Sequence, residues 1–232
     1  MSPPLDTAPL DPPEHGLGQP DSEIIRPEGR HELRGRDIGD VRELRYPSTA
    51  ALLFAGIPGA GKSTALHRLF RSPAEAEEPP NGPDDTLVLD SNHVRNTWRH
   101  RLHRLPYPLW RPVVHLAHFA RIRSALRDHT GPVVIHDCAT YGWSRRLLGR
   151  WATRHGREFH MILLDVPAAI ARAGQFARGR RVGGISFRRH CSRWNRLLTA
   201  VDRGQRLCPE PASVIVIDRS GMDRVRRIRF AA

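Results

Sequence analysis

Apolar residues are unevenly spread along this chain, and the first 47 positions hold few of them in any regular order. Residues 1–22 are rich in proline, glycine and aspartate. Such a segment cannot bury enough apolar surface to offset its chain entropy, so disorder is expected there. Residues 23–47 are polar and charged, punctuated only by Ile24, Ile25, Leu33, Ile38, Val41 and Leu44. A short packed helix or a continuing tail is expected, which makes 1–47 an N-terminal extension. From residue 48 the pattern changes. Short apolar runs at 52–55, 87–89, 133–135, 161–164 and 214–217 have the length and bounding of buried strands. Between them, 63–70, 93–104, 113–128, 144–155, 168–178 and 186–203 carry helical spacing. Alternating strands and helices predict one α/β domain over 48–232. Its core would be a five-stranded, mainly parallel sheet with helices on both faces, in three layers. The proline-rich, acidic stretch 72–85 interrupts the pattern and reads as a surface loop, and no internal repeat occurs.

The first strand-to-helix junction carries the chemistry. Gly56-Ile57-Pro58-Gly59-Ala60-Gly61-Lys62-Ser63-Thr64 fits the pattern G-x-x-x-x-G-K-[ST] residue for residue. An apolar run leads in and a helical stretch leads out, which is the setting such a phosphate-binding loop requires. Gly56, Pro58, Gly59, Ala60, Gly61, Lys62, Ser63 and Thr64 are therefore the expected phosphate-binding residues, and the fold class becomes a three-layer P-loop NTPase fold. Lys62 is the only lysine; the other 36 of the 37 basic residues are arginines. A compact ammonium on a flexible stem reaches β- and γ-phosphate oxygens from inside a ring of backbone N–H groups. A planar guanidinium is wider and less adaptable there.

Charge changes the picture less than its size suggests. The formal net charge of +13 points to a polyanion partner. Arginine is spread through most of the chain and replaces lysine almost everywhere, so it reads as compositional bias, and nucleic acid is not the favoured partner. The three cysteines, Cys138, Cys191 and Cys208, are odd in number and far apart. They fit neither a disulfide framework nor a zinc site, which indicates a reducing compartment. No signal-peptide pattern opens the chain, and no apolar run approaches about 18 residues. A cytoplasmic protein without membrane segments is expected.

Later motifs narrow the class. Guanine reading of the Ras type needs an N-K-x-D motif, and no second lysine exists to supply one. An ABC-transporter signature is absent, and the domain is short for an AAA+ motor with its helical lid. A small phosphotransferase is the natural remainder. Leu89-Asp90-Ser91-Asn92-His93-Val94-Arg95 resembles the L-D-x-D-x-x-R segment of adenylylsulfate kinases and the D-x-x-R of polynucleotide-kinase-like proteins. That resemblance implies that Asp90 positions or deprotonates an acceptor hydroxyl and that Arg95 grips a phosphate. Asn92 stands where the family has a second acid, and Asp90 is equally suited to capping the helix that follows. The run Val133-Val134-Ile135-His136-Asp137 has the form of a Walker B strand, and Asp137 is expected to support Mg²⁺ opposite its direct ligand Ser63. Leu164-Asp165-Val166-Pro167 and the arginines at 178–181 resemble the kinase lid. Arg178, and after it Arg180, would then contact nucleotide or transferring phosphate, while Gly174 replaces an arginine the family often carries. The glycines of 178–184 suit a mobile lid.

The resemblance covers about residues 50–218 and is to the P-loop kinase-like ATP-binding proteins of the AAA-domain-33, zeta-toxin and polynucleotide-kinase group. It implies ATP and Mg²⁺ as cofactors, an unidentified small-molecule or nucleotide acceptor, and Lys62, Asp90, Arg95 and Arg178 as catalytic residues. The competing expectation is a nucleotide-dependent nucleic-acid-binding or regulatory ATPase with little kinase activity, which the asparagine at position 92 favours. The histidine pairs His100/His103 and His115/His118 lack further ligands and read as surface or core residues. Trp98, Tyr107 and Trp110, with Arg99, Arg101 and Arg104, form either an acceptor-stacking stretch or ordinary packing beside solvated charge. Oligomeric state is not legible.

Overall fold

The computed structural model describes residues 23–35, 41–73, 75–102, 104, 106–177 and 183–231. The disorder expected of 1–22 lies outside them. Three short strands come first: β1 (Glu23–Ile25), β2 (Gly29–Leu33) and β3 (Val41–Pro47). Then β4 (Ala51–Ala55) runs into α1 (Lys62–Phe70), and β5 (Leu87–Asp90) into α2 (Ser91–Leu102) and α3 (Tyr107–Asp128). The chain continues through β6 (Val133–His136), α4 (Gly142–Arg154), β7 (Phe159–Leu164), α5 (Ala168–Ala177) and α6 (Gly184–Asp202). It closes with β8 (Ser213–Ile217), α7 (Arg219–Arg224) and β9 (Arg227–Ala231).

The main sheet has the order β2-β8-β7-β4-β6-β5, and every pairing in it is parallel. β4 lies inside the sheet because nothing in Ala51-Leu52-Leu53-Phe54-Ala55 is polar, and all five residues are buried. Burying Leu52, Leu53 and Phe54 contributes roughly 1.5–3 kcal/mol each. Right-handed crossovers put α1 on one face of the sheet and α2 to α6 on the other. Ring contacts fit this division: Phe119 of α3 meets Trp143 and Trp151 of α4, whereas Phe70 at the end of α1 meets Phe230 of β9. The chain leaves β4 towards β5 and leaves β7 towards β8. A crevice therefore opens at the carboxyl ends of β4 and β7, where open α/β sheets bind ligands.

The parallel α/β class is as expected, but the sheet has six strands rather than five. The described residues 23–35 and 41–47 form three strands instead of a helix or tail. β2 pairs with β8 from Gly29↔Ser213 to Leu33↔Ile217. β3 sits between β1 and β9 in a second, three-stranded parallel sheet. These strands are obscure in sequence for physical reasons. β2 is an edge strand that buries only Leu33. β3 buries a carboxylate, Glu43, among its apolar residues, and that charge is compensated by Arg45 of the same strand and Arg227 of β9. A charged residue at a core position disguises a strand.

Candidate functional site: the phosphate-binding loop and the strand ends around it

The loop between β4 and α1 has the backbone its glycines allow. Gly59 and Gly61 take φ of 91° and 107°, the left-handed region that costs a residue with a Cβ about 1 kcal/mol or more. Lys62 opens α1 and is only 6% exposed. Its Nζ donates to Gly56 O at 2.7 Å and Ile57 O at 3.2 Å. Those two bonds leave one of the three ammonium protons free to face a phosphate. Ser63 is half-buried and Thr64 exposed in the same first turn. No acidic side chain occupies that turn, so the amide end of the helix keeps its positive character.

Two strand ends bring carboxylates to this level. β6 lies directly beside β4, and Asp137, one residue past it, donates its backbone N–H to Phe54 O at 3.4 Å. Asp137 Oδ1 accepts from the Cys138 N–H at 2.8 Å, and burial pushes the Cys138 thiol up. Asp90 ends β5 and is 5% exposed. Its Oδ1 accepts from the Asn92 N–H at 2.8 Å and its Oδ2 from the Asn92 side-chain amide at 3.0 Å. His136, opposite it on β6, places Nδ1 2.7 Å from the same Oδ2. Burial alone would raise this carboxyl. The His136 imidazole and the two Asn92 bonds outweigh it and hold Asp90 well below the usual carboxylate range. Asn92 is thus a donor that fixes Asp90, a task a second acid could not perform while ionised. His118 of α3 completes the surroundings. It is 2% exposed, neither ring nitrogen has a hydrogen-bond partner, and burial pushes its pKa down to about 4 despite Asp137 and Asp90 nearby.

The third wall is α5, which follows β7 and lies against the loop backbone. A Cβ on Gly59 would stand 2.1 Å from Ala171 O, and one on Gly174 would stand 2.7 Å from Gly59 O. Gln175 Nε2 donates to Pro58 O at 2.9 Å. An arginine at position 174 cannot fit while helix and loop touch in this way. Arg219, at the start of α7, is a neighbour that the sequence did not single out. Its Nη2 reaches Ala60 O at 3.5 Å and lies 3.7 Å from where a Cβ on Gly61 would be. Only the position just past the last sheet strand hints at it.

Other expected residues fare differently. Arg95 is half-buried on α2. Arg178 and Arg180 lie outside the described residues, as does most of the expected lid. Trp110 is buried with Val94 and Val114, and Trp98 packs on them, so this pair serves a small satellite core. Exposed His115 is joined to Arg111 Nε at 3.2 Å. Among the described residues no group of three or more His, Cys, Asp or Glu is placed to hold a metal, and the three cysteines are free. No helix among them is long and apolar enough to cross a membrane.

A buried lysine in a glycine loop, between a central parallel strand and its helix, with an acid ending the adjacent strand, defines a kinase-like P-loop nucleotide-binding protein. The chain belongs to the AAA domain family, whose profile (AAA_33) matches residues 52–203. Three solved structures show distant similarity. A component of the PezAT chromosomal toxin–antitoxin system of Streptococcus pneumoniae is 13% identical, with a TM-score of 0.42, covering 57% of this chain and 53% of that one. A gluconokinase from Sinorhizobium meliloti 1021 is 14% identical, with a TM-score of 0.42, covering 77% and 94%. A putative kinase from Chloroflexus aurantiacus is 12% identical, with a TM-score of 0.45, covering 73% and 88%. No curated protein matches the chain.

Proposed function

We propose that this protein binds ATP with Mg²⁺ at residues 56–64 and transfers the γ-phosphoryl group to a hydroxyl of an acceptor. The observation that carries this reading is Lys62, buried inside the loop with its ammonium held on two loop carbonyls. In a small chain that otherwise uses arginine, a buried lysine at this point makes sense as a phosphate ligand. The amides from Gly59 to Thr64 cradle the phosphates, and Lys62 offsets β/γ charge. Ser63 and Asp137 would hold Mg²⁺, which would supply neutralisation of phosphate charge. Asp90, fixed by Asn92 and His136, orients the acceptor hydroxyl. Arg95, Arg178 and Arg180 are assigned to charge on the acceptor and the transferring group, and Arg219 joins the nucleotide side.

The predicted result for Lys62→Ala is loss of the thermal stabilisation that ATP gives the wild type, about 2.7 kcal/mol at a hundred times Kd. An unchanged ATP-dependent shift in melting temperature would sink the phosphate-site assignment. Asn92 is the feature that favours a non-catalytic regulatory ATPase, and its two bonds to Asp90 support the reading in which it holds that carboxylate for an acceptor.

A further inference from the structure

A pair of adjoining cavities lies outside the phosphate loop. An open cleft of about 320 Å³ lies between α4 and α6, at the small end of the range for small-ligand sites. Thr140, Tyr141 and Arg145 line one wall, Arg193 and Arg196 the other, with Leu197 among the apolar contributors. A neighbouring cavity of about 210 Å³ shares Gly142, Arg145 and Leu207 with it and adds Arg146 and Arg206. Three arginines thus line the larger cavity, and Arg145 is shared with the smaller one.

Their partners are few. Arg145 donates to the Ala139 carbonyl, Arg193 lies 4.3 Å above the Tyr141 ring, and Arg196 Nη2 donates to Ser192 Oγ at 3.3 Å. Among the described residues none of the three makes an ion pair. Arg145 and Arg193 are half-buried all the same. Burial, and then the like charge of Arg146, push Arg145 below its ordinary value, with only Asp137 opposing. Partly desolvated guanidinium groups facing one another are costly unless an anion enters. The N-terminal turn of α4 opens on the same cavity, and no side chain caps its amides.

We infer that the cleft between α4 and α6 binds a small molecule bearing a phosphate monoester, through Arg145, Arg193 and Arg196 over an apolar floor. A phosphate presents several oxygens to planar donor forks arriving from two helices. Leu197 and Leu207 suit the body that carries it. A single-stranded nucleic acid would need stacking rings along a continuous track. Tyr141 is the one aromatic ring among the residues lining the larger cavity, and Trp143, 6.3 Å from that ring, stacks on Phe119 at 5.5 Å instead of lining it. The cleft adjoins the loop site through Thr140, whose hydroxyl bonds His190 Nδ1 at 2.7 Å, three residues past Asp137.

Calorimetric titration with ribose 5-phosphate, ribose and inorganic phosphate tests this, with a single-stranded oligonucleotide as a fourth arm. The expected result is saturable binding of ribose 5-phosphate and none of ribose. Inorganic phosphate should bind more weakly, since it lacks the body that the apolar floor receives. Arg196→Ala and Arg193→Ala should each weaken binding of ribose 5-phosphate at least about tenfold, with ATP affinity at the wild-type value. Arg196 is exposed, so its removal should leave folding intact, and Arg196→Lys should recover part of the affinity. Undiminished binding in both alanine variants would assign the phosphate to residues 56–64 and overturn the inference. So would absence of ribose 5-phosphate binding, or binding of the oligonucleotide alone with steep salt dependence.

Discussion

Asp90 shows how much of a side chain's chemistry is set by partners that are distant in sequence. Its strand-end position was legible, and so was its ability to cap α2, because both depend on neighbours one or two residues away. His136 was not, since it reaches Asp90 only through the pairing of β5 with β6. The two roles are compatible: the Asn92 N–H bond is the capping contact, and the carboxylate so held has the fixed position that the proposed acceptor role requires. Asp90→Asn is predicted to leave ATP affinity near the wild-type value and to lower phosphoryl transfer by about a hundredfold or more. Transfer at close to the wild-type rate, read by mass spectrometry with ATP and a metabolite pool, would remove Asp90 from the mechanism. His160 gives a prediction of another kind. It is 2% exposed on β7, its Nδ1 lies 2.9 Å from Ser213 Oγ, and its ring packs edge-on against Tyr46. Glu158, 3.6 Å from Nε2, is mostly solvated, and burial pushes the imidazole down to about 4. The folded protein thus binds this proton less readily than the unfolded chain, whose histidine titrates near 6.5. Stability should fall as pH drops from about 6.5 to 4, by up to about 1.4 kcal/mol per pH unit. His160→Gln should remove its share of that slope and leave the share of His118, which burial also pushes down to about 4, and an equally steep profile in the variant would assign the slope to other groups.

The contact between α5 and the phosphate loop is where packing and function meet. At Gly174 the resemblance to the kinase lid implied an arginine, and the glycine looked like a loss of charge. In the structure it is a steric condition, because the helix backbone rests on Gly59. Gly174→Ala forces a shift of several tenths of an ångström in α5 or the loop. Expected effects are about 1–3 kcal/mol of destabilisation and a weaker affinity for ATP, both measurable by melting with and without nucleotide. A variant with unchanged stability and affinity would show that the helix moves away at no cost. The helical positions were otherwise well marked by apolar spacing, as α4 and α6 fall within two residues of expectation, while α3 starts six residues earlier than expected. Their placement side by side, which makes the cleft of Arg145, Arg193 and Arg196, has no local signature.

The N-terminal segment is built into the protein. β2 closes one edge of the main sheet, and β3 is the middle strand of the smaller one. Arg34, just beyond β2, bonds Asp165 at 2.8 Å and Asp202 at 3.1 Å and also pairs with Glu32, tying the start of the chain to the ends of β7 and α6. Glu32 and Asp165 hold the Arg34 guanidinium above its ordinary value against a smaller opposing effect of burial. Deleting residues 1–47 should therefore abolish cooperative unfolding, since Leu44 and Tyr46 leave the core and β9 loses its partner. A truncated chain that melts cooperatively near the wild-type temperature would return this segment to the status of an appendage.

By itself the sequence determined the phosphate loop, the alternation of strand and helix, and the identity of the lysine at the centre. Each is a local pattern: a glycine spacing, an apolar period, a single residue type among arginines. The tertiary structure decided the rest. Strand order set β6 beside β4 and so placed Asp137 near the loop, while sheet pairing gave Asp90 its histidine. Strands with charged residues joined the sheets because their charges found partners far along the chain. Contacts of that kind depend on which elements become neighbours, and no short window of residues records that.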